Sequence, residues 1–353
     1  MPSHQPKPPA VPLPVWRGLL AAATEFRTAA PWTWLEDQDV FALIDEEGRP
    51  WFPSVLGAAG QVFGLALYRG ENGLRFLLKT APALGTPDCD PRELMFLQDA
   101  LLLDWGSKRE LAQEDLAVLA ALDHRPPSRA RQAWPSFRSH VPGWFPWFLD
   151  EAEALALTCG LRATLACAAL ARANPGFFRP CEADGSLLPT VSVAAALRGP
   201  LADGQVEWRQ WQLSPPAAPA PIRLPTGWES IRKKSLNNRG VLEFDIFLAA
   251  TPTSDGGRPY FPRLGLLADG QTGYIYAMQL APPARPWEEL VTAVWAQALL
   301  SLQQRPRRIA IRRLEWMAAL APLAAALDIE LDLRDELREI DSARAAMERD
   351  LGA

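Results

Sequence analysis

Glu243 and Asp245 stand two residues apart in the run LEFDIFLA, and Glu315 follows Arg312-Arg313. Gathered carboxylates can hold paired divalent cations, which stabilise the attacking and leaving oxygens of a phosphoryl displacement. Period-2 alternation sends Glu243 and Asp245 to one face of a strand and Leu242, Phe244, Ile246 and Leu248 to the other. The same acids fit a solvated sheet face. Glu315 fits the first turn of a helix, where the dipole favours negative charge. Asp245, Glu243 and Glu315 are therefore the catalytic candidates, each with a structural alternative.

Nucleophilic chemistry has less to draw on. The histidines are His4, His124 and His140. His140 lies near Ser136 and Ser139, but neighbours in sequence do not make a triad, and the chain has no G-x-S-x-G elbow. It also lacks the G-x-x-x-x-G-K-[ST], G-x-G-x-x-G and H-E-x-x-H signatures. Cys89, Cys159, Cys167 and Cys181 form no C-x-x-C pair and have no histidine at zinc spacing. Neither a metal nor a cofactor is expected, and the thiols read as those of a reduced, intracellular protein.

Aromatic side chains offer recognition instead. Trp134, Arg138, Trp144 and Trp147 lie in AWPSFRSHVPGWFPWFLD. Trp and Arg dominate interface hot spots, so these residues are the binding candidates. Pro135, Pro142 and Pro146 forbid a regular helix there, and residues 134–147 read as an aromatic loop. It anchors a protein partner, lines a small-molecule cleft or is pinned by packing. Two basic runs, Arg232 to Arg239 and Arg305 to Arg313, would meet phosphates if they shared a face. The formal net charge of −5 gives no general pull toward nucleic acid or an anionic membrane, so a protein partner is the favoured expectation.

The elements that position these residues follow from periodicity. At 48% hydrophobic and 22% charged residues, the chain has a globular composition and can bury a core. Residues 1–14 carry Pro2, Pro6, Pro8, Pro9, Pro12 and Pro14 and read as a disordered tail without a signal-peptide h-region. A helix follows through Trp16, Leu19, Leu20 and Ala23, then strands over 39–45, 51–56 and 62–68 in a three-stranded antiparallel meander. Leu94, Leu97, Ala100 and Leu101 have helical spacing, as do Leu116, Leu119 and Ala120. Asp150 reads as the N-cap of a long helix ending near Asn174-Pro175-Gly176. The run Leu149 to Ala173 contains Asp150, Glu151, Glu153, Arg162 and Arg172, so no membrane span is expected and a cytoplasmic location is. TVSVAAAL and VEWRQWQL complete a first domain, 15–213. The proline-rich 214–226 is the linker, and 227–353 is the second domain, with order βββ-α-β-α-β-α. The whole is an α+β protein of two domains, each opening with an antiparallel meander.

One hexapeptide ties the halves together. Gly48 to Pro53 reads GRPWFP, and Gly257 to Pro262 reads GRPYFP, each between a first and a second strand. Proline fixes φ and pushes its predecessor into extended backbone, so the motif makes a stiff aromatic strand entry. Its missing donors place it on a sheet edge. The reading is a repeated meander whose aromatics pack.

Residues 240–351 resemble the ribonuclease H-like fold in element order. That resemblance implies an acid on the first strand, met by Asp245 or Glu243, and another near the end of the fourth. Ile311-Arg312-Arg313 occupies that second place with cations, which marks any metal-dependent nuclease as degenerate. The stretches VLGAAGQVFGLALYRG, AWPSFRSHVPGWFPWFLD, RRIAIRR and DIELDL resemble an uncharacterised bacterial family of two linked domains of unknown function. This second resemblance implies a bacterial protein and no particular chemistry.

Overall fold

The computed structural model describes residues 7–36, 39–83, 97–126, 132–174, 177–178, 187–214 and 220–350. His4, Cys89, Leu94, Cys181 and most of the proline-rich 214–221 run lie outside the described residues. The chain divides into two compact units, Met1–Leu213 and Ser214–Ala353.

The first unit runs α1 (Leu13–Ala29), β1 (Ala42–Ile44), β2 (Pro50–Leu56), β3 (Gly64–Arg69), α2 (Gly70–Ala83), β4 (Ala100–Gly106), α3 (Gln113–Ala121), β5 (Trp134–His140), α4 (Glu151–Ala173), β6 (Leu187–Ser192), α5 (Val193–Leu197) and β7 (Val206–Gln210). Its sheet has seven strands in the order β5-β4-β3-β2-β1-β6-β7. Strands β1 to β5 are antiparallel neighbours, and β6 joins β1 in parallel. Helices α1 and α4 close one face through Leu19, Phe26, Leu157 and Leu161, against Leu65, Leu67, Leu101 and Leu103. Phe52, Tyr68, Leu74 and Leu77 fill the other face. Strict alternation along β3 feeds both cores.

The expected three-stranded meander is β1-β2-β3, and β4 and β5 extend it after intervening helices. Three other expectations are corrected. Ala100 and Leu101 belong to β4, not to a helix, because β3 and β5 supply hydrogen-bonding partners on both flanks. TVSVAAAL is a strand only to Ser192 and then turns into α5. Helix α1 also begins at Leu13, inside the segment expected as tail.

The second unit runs α6 (Trp228–Arg232), β8 (Leu236–Leu248), β9 (Arg263–Asp269), β10 (Ile275–Ala281), α7 (Trp287–Ser301), β11 (Arg305–Ile311), α8 (Leu314–Leu327), β12 (Glu330–Leu333) and α9 (Arg338–Asp350). The sheet order is β10-β9-β8-β11-β12, with β8, β9 and β10 antiparallel and β11 and β12 added in parallel. Helices α7 and α8 pack Val291, Trp295, Leu320 and Leu323 onto Phe244, Ile246 and Ile309. On the opposite face α9 brings Ile340 to Phe247, Leu264 and Leu266. Ile222, within the expected linker, is buried in this core and donates its N–H to the Ala319 carbonyl at 3.1 Å.

The duplicated hexapeptide marks the same hand-over in both units. Gly48 takes φ +78° and opens the turn into β2. Trp51 Nε1 donates to Asp45 Oδ2 at 3.1 Å, and Tyr260 OH donates to Asp255 Oδ2 at 2.7 Å, so each ring locks the turn before it. Phe52 and Phe261 are both buried. The expected sheet edge is wrong for the first copy: β2 is the central strand. Its prolines are tolerated for a local reason. Arg69 directs its N–H to Asp99 on the β4 side, so its pairing with Trp51 lacks cross-strand bonds, and alternation extends this to Leu67–Pro53. The Pro53 nitrogen then faces β1, whose ladder has ended at the pair Leu43–Trp51.

Candidate functional site

The carboxylates singled out for metal chemistry each serve another contact. Glu243 and Asp245 lie on the sheet face that α9 covers, so both are buried rather than solvated. Glu243 Oε2 accepts the N–H groups of Glu339 at 2.8 Å and Ile340 at 3.1 Å, capping α9 from a neighbouring strand. Asp245 Oδ2 lies 3.0 Å from Arg312 Nε, and Arg312 also binds Asp341. Burial pushes the Asp245 carboxyl up from its ordinary value, while Arg313 and Arg312 pull it back. Glu315 sits in the first turn of α8. Among the described residues, no three His, Cys, Asp or Glu side chains are grouped to hold a metal ion.

The basic runs are drawn into the second unit's own framework. Arg232 donates to the Ala326 carbonyl at 2.6 Å and Arg305 to the Leu327 carbonyl at 3.0 Å. Together they satisfy the C-terminal carbonyls of α8, where the helix dipole favours cations. Lys234 donates to the Leu302 carbonyl, and Arg308 pairs with Glu330 at 2.9 Å. Arg305 and Arg308 on β11 are therefore engaged within the unit, while Arg307 is exposed.

The segment expected as an aromatic loop begins as an edge strand. Proline at an edge loses no ladder bond that a neighbour needs, so Pro135 fits within β5. Ser139 and Trp147 then exchange backbone hydrogen bonds at 2.7 and 3.0 Å, folding the chain back over that edge. Arg138 grips Asp115 of α3 through both terminal nitrogens, at 2.9 and 2.5 Å, and its guanidinium lies 4.7 Å from the Phe148 ring centre. Trp147 packs edge-on against Phe148. Trp144, also half-buried, follows the Val141 turn. Arg138 and Trp147 thus help to fasten β5. Trp134 is placed differently.

Trp134 pairs across the ladder with Gly106, and both line a cleft of about 1060 Å³. Asp104 on β4, Gln61 and Val62 before β3, Lys108 and Arg109 after β4, and Gln132 complete its main lining. The Lys108 ammonium stands 5.3 Å over the Trp134 ring, within cation–π range. His124 meets the ring edge-on at 5.8 Å and approaches the Ala133 carbonyl through Nε2 at 3.3 Å. Burial raises the Asp104 carboxyl, Arg138 opposes that shift, and Glu110 and Asp115 add to it. Gln132 takes a left-handed φ of 49°, uncommon for a residue with a β-carbon, and donates to the Gln61 carbonyl at 3.3 Å. Apart from Trp134, the residues of this cleft were not among the sequence candidates. Their one legible sign is a lone acid inside the apolar run ALLLDWG.

A second polar cluster also escaped the sequence reading. Arg69 donates to Asp99 Oδ1 at 2.8 Å, Ser139 Oγ at 2.9 Å and Glu153 Oε1 at 2.6 Å. The Ser139 hydroxyl donates to Glu153 at 2.6 Å, and that glutamate completes a capping box with Asp150. Fully buried Ser139 therefore serves to join β3, β5 and α4. In α4, both Cys159 and Cys167 are free, and burial raises the Cys167 thiol to about 12.

Two family models match the chain in tandem. Residues 16–188 match a domain of unknown function, DUF7309, and residues 228–348 match a second, DUF6930. The chain therefore carries two linked domains of unknown function. No curated protein matches it. Helix α4 is long and apolar enough to cross a membrane by length and composition, but Leu157, Leu161 and Cys167 on it are buried in the core of the first unit.

Proposed function

We propose that the chain is a non-catalytic binding protein of the bacterial cytoplasm, and that a segment of a partner protein seats in the Asp104–Trp134 cleft. The observation that carries this is the half-buried Trp134 ring, faced by Lys108, in a cleft that mixes both charges with carboxamides. An aromatic platform with Val62 beside it suits an apolar anchor, and Gln61 and Gln132 suit peptide groups. A nucleic-acid backbone would meet Asp104 and Glu110 as well as the cations, which disfavours it.

The order β10-β9-β8-β11-β12 supports a ribonuclease H-like topology for the second unit. The pairing of Asp245 with Arg312, and the use of Glu243 as a cap, support reading that unit as non-catalytic. Full-length wild type and Trp134→Ala, each checked for folding by circular dichroism, are to be compared for partners cross-linked in cells. A specific partner should be lost with the ring; recovery of the same partners by both proteins would sink the cleft assignment. Divalent-cation-dependent cleavage of labelled RNA or DNA that Asp245→Asn abolishes would replace this reading with the nuclease.

A further inference from the structure

Each described sheet has two outer strands, and three of the four are guarded against pairing with another chain. Strand β5 carries Pro135 and Arg138 and is bridged by Trp147. Strand β7 carries the Glu207–Arg209 pair, and β12 carries Glu330 and Asp332. Charges, prolines and covering segments are the usual protection for an open edge. Strand β10 has none of these; its protection is a bulge at Tyr276, beyond which Ala277 to Ala281 pair regularly with β9. It reads Ile275-Tyr276-Ala277-Met278-Gln279-Leu280-Ala281, without charge, proline or glycine.

Its surroundings add apolar surface. Met278 is 46% exposed and Leu280 54% exposed, although they pair with buried Leu266 and Leu264 on β9. Helix α9 packs over β8 and β9 on that face and leaves the β10 side chains uncovered. On the other face Gln279 bonds Gln297 of α7 at 2.7 Å, and Leu300, one turn further along that helix, is 86% exposed.

We infer that β10 pairs antiparallel with β10 of a second copy of this chain, joining two five-stranded sheets edge to edge. The sequence is self-complementary for a two-fold axis at Met278. Met278 then faces Met278 of the other copy and small Ala277 faces longer Gln279, while the bulge at Tyr276 ends the regular ladder there. Like charges opposite one another destabilise such a pair, and an uncharged strand has none to oppose. The same operation on β12 would set acidic side chains against each other. A second copy therefore answers the charge pattern of β10, and the two Leu300 side chains extend the apolar seam.

Sedimentation of the full-length protein from about 1 to 100 µM, where a micromolar dimer dissociates, tests the pairing. Wild type should reach twice the chain mass. Met278→Lys and Leu280→Glu should each weaken the dimer at least tenfold while keeping wild-type circular dichroism, and Leu333→Lys on β12 should leave it intact. Wild type that stays monomeric at 100 µM overturns the inference, as does a dimer that survives a folded Met278→Lys.

Discussion

At the scale of single residues, Asp245 has the clearest consequence. Its carboxyl is buried, and Arg312, only a quarter exposed, supplies the facing cation. Removing one partner of a buried pair leaves an uncompensated charge. Arg312→Met should therefore cost about 3 kcal/mol in denaturant unfolding near pH 7, toward the low end for such pairs because the arginine is partly hydrated. The loss should shrink in Arg312→Met/Asp245→Asn. The pH dependence has a definite sign. Burial raises the Asp245 carboxyl first of all, so the folded state holds a proton that the unfolded state releases. Stability contributed at this position falls as pH rises above the ordinary carboxyl value of about 4, and Arg312→Met should steepen that fall. Below that value the variant's deficit should narrow; a deficit unchanged from pH 3 to pH 8 would show that Asp245 is not its source.

At the scale of elements, the last helix depends on a residue almost a hundred positions earlier. Glu243 on β8 takes two of the N–H groups that α9 leaves open at its start. Glu243→Ala should cost about 1–2 kcal/mol, the range for a lost cap, and the amides of Glu339 and Ile340 should exchange faster with solvent. Unchanged protection there would mean that packing of Ile340 alone holds the helix. How far each element could be read from sequence varied with where its partners lie. Helix α4 was legible because Asp150 and Glu153 form their capping box locally. Strand β4 was not: its apolar residues fit a helical spacing, and only the ladders from β3 and β5 make it a strand.

At the scale of the whole molecule, each unit has its own buried cores, so each should fold alone. Fragments 1–213 and 214–353, cut between Leu213 and Ser214, should each melt cooperatively by circular dichroism. A cut after Ile222 should weaken the second fragment, because Ile222 belongs to its core and bonds Ala319. Failure of 214–353 to melt cooperatively would count against an autonomous second unit.

The sequence by itself determined the strand and helix periods, the paired meanders and the stiff aromatic entries, since all of these arise from neighbours within a few positions. Tertiary structure alone decided which strand stood at the centre and which at an edge. It also decided that the face bearing Glu243 and Asp245 would be covered, and that Trp134 would meet Lys108 and Asp104 in a cleft while Arg138 turned to Asp115. The physical reason is that alternation states which residues share a face but not what lies over it. Burial, charge pairing and cleft formation depend on segments that are distant in the chain.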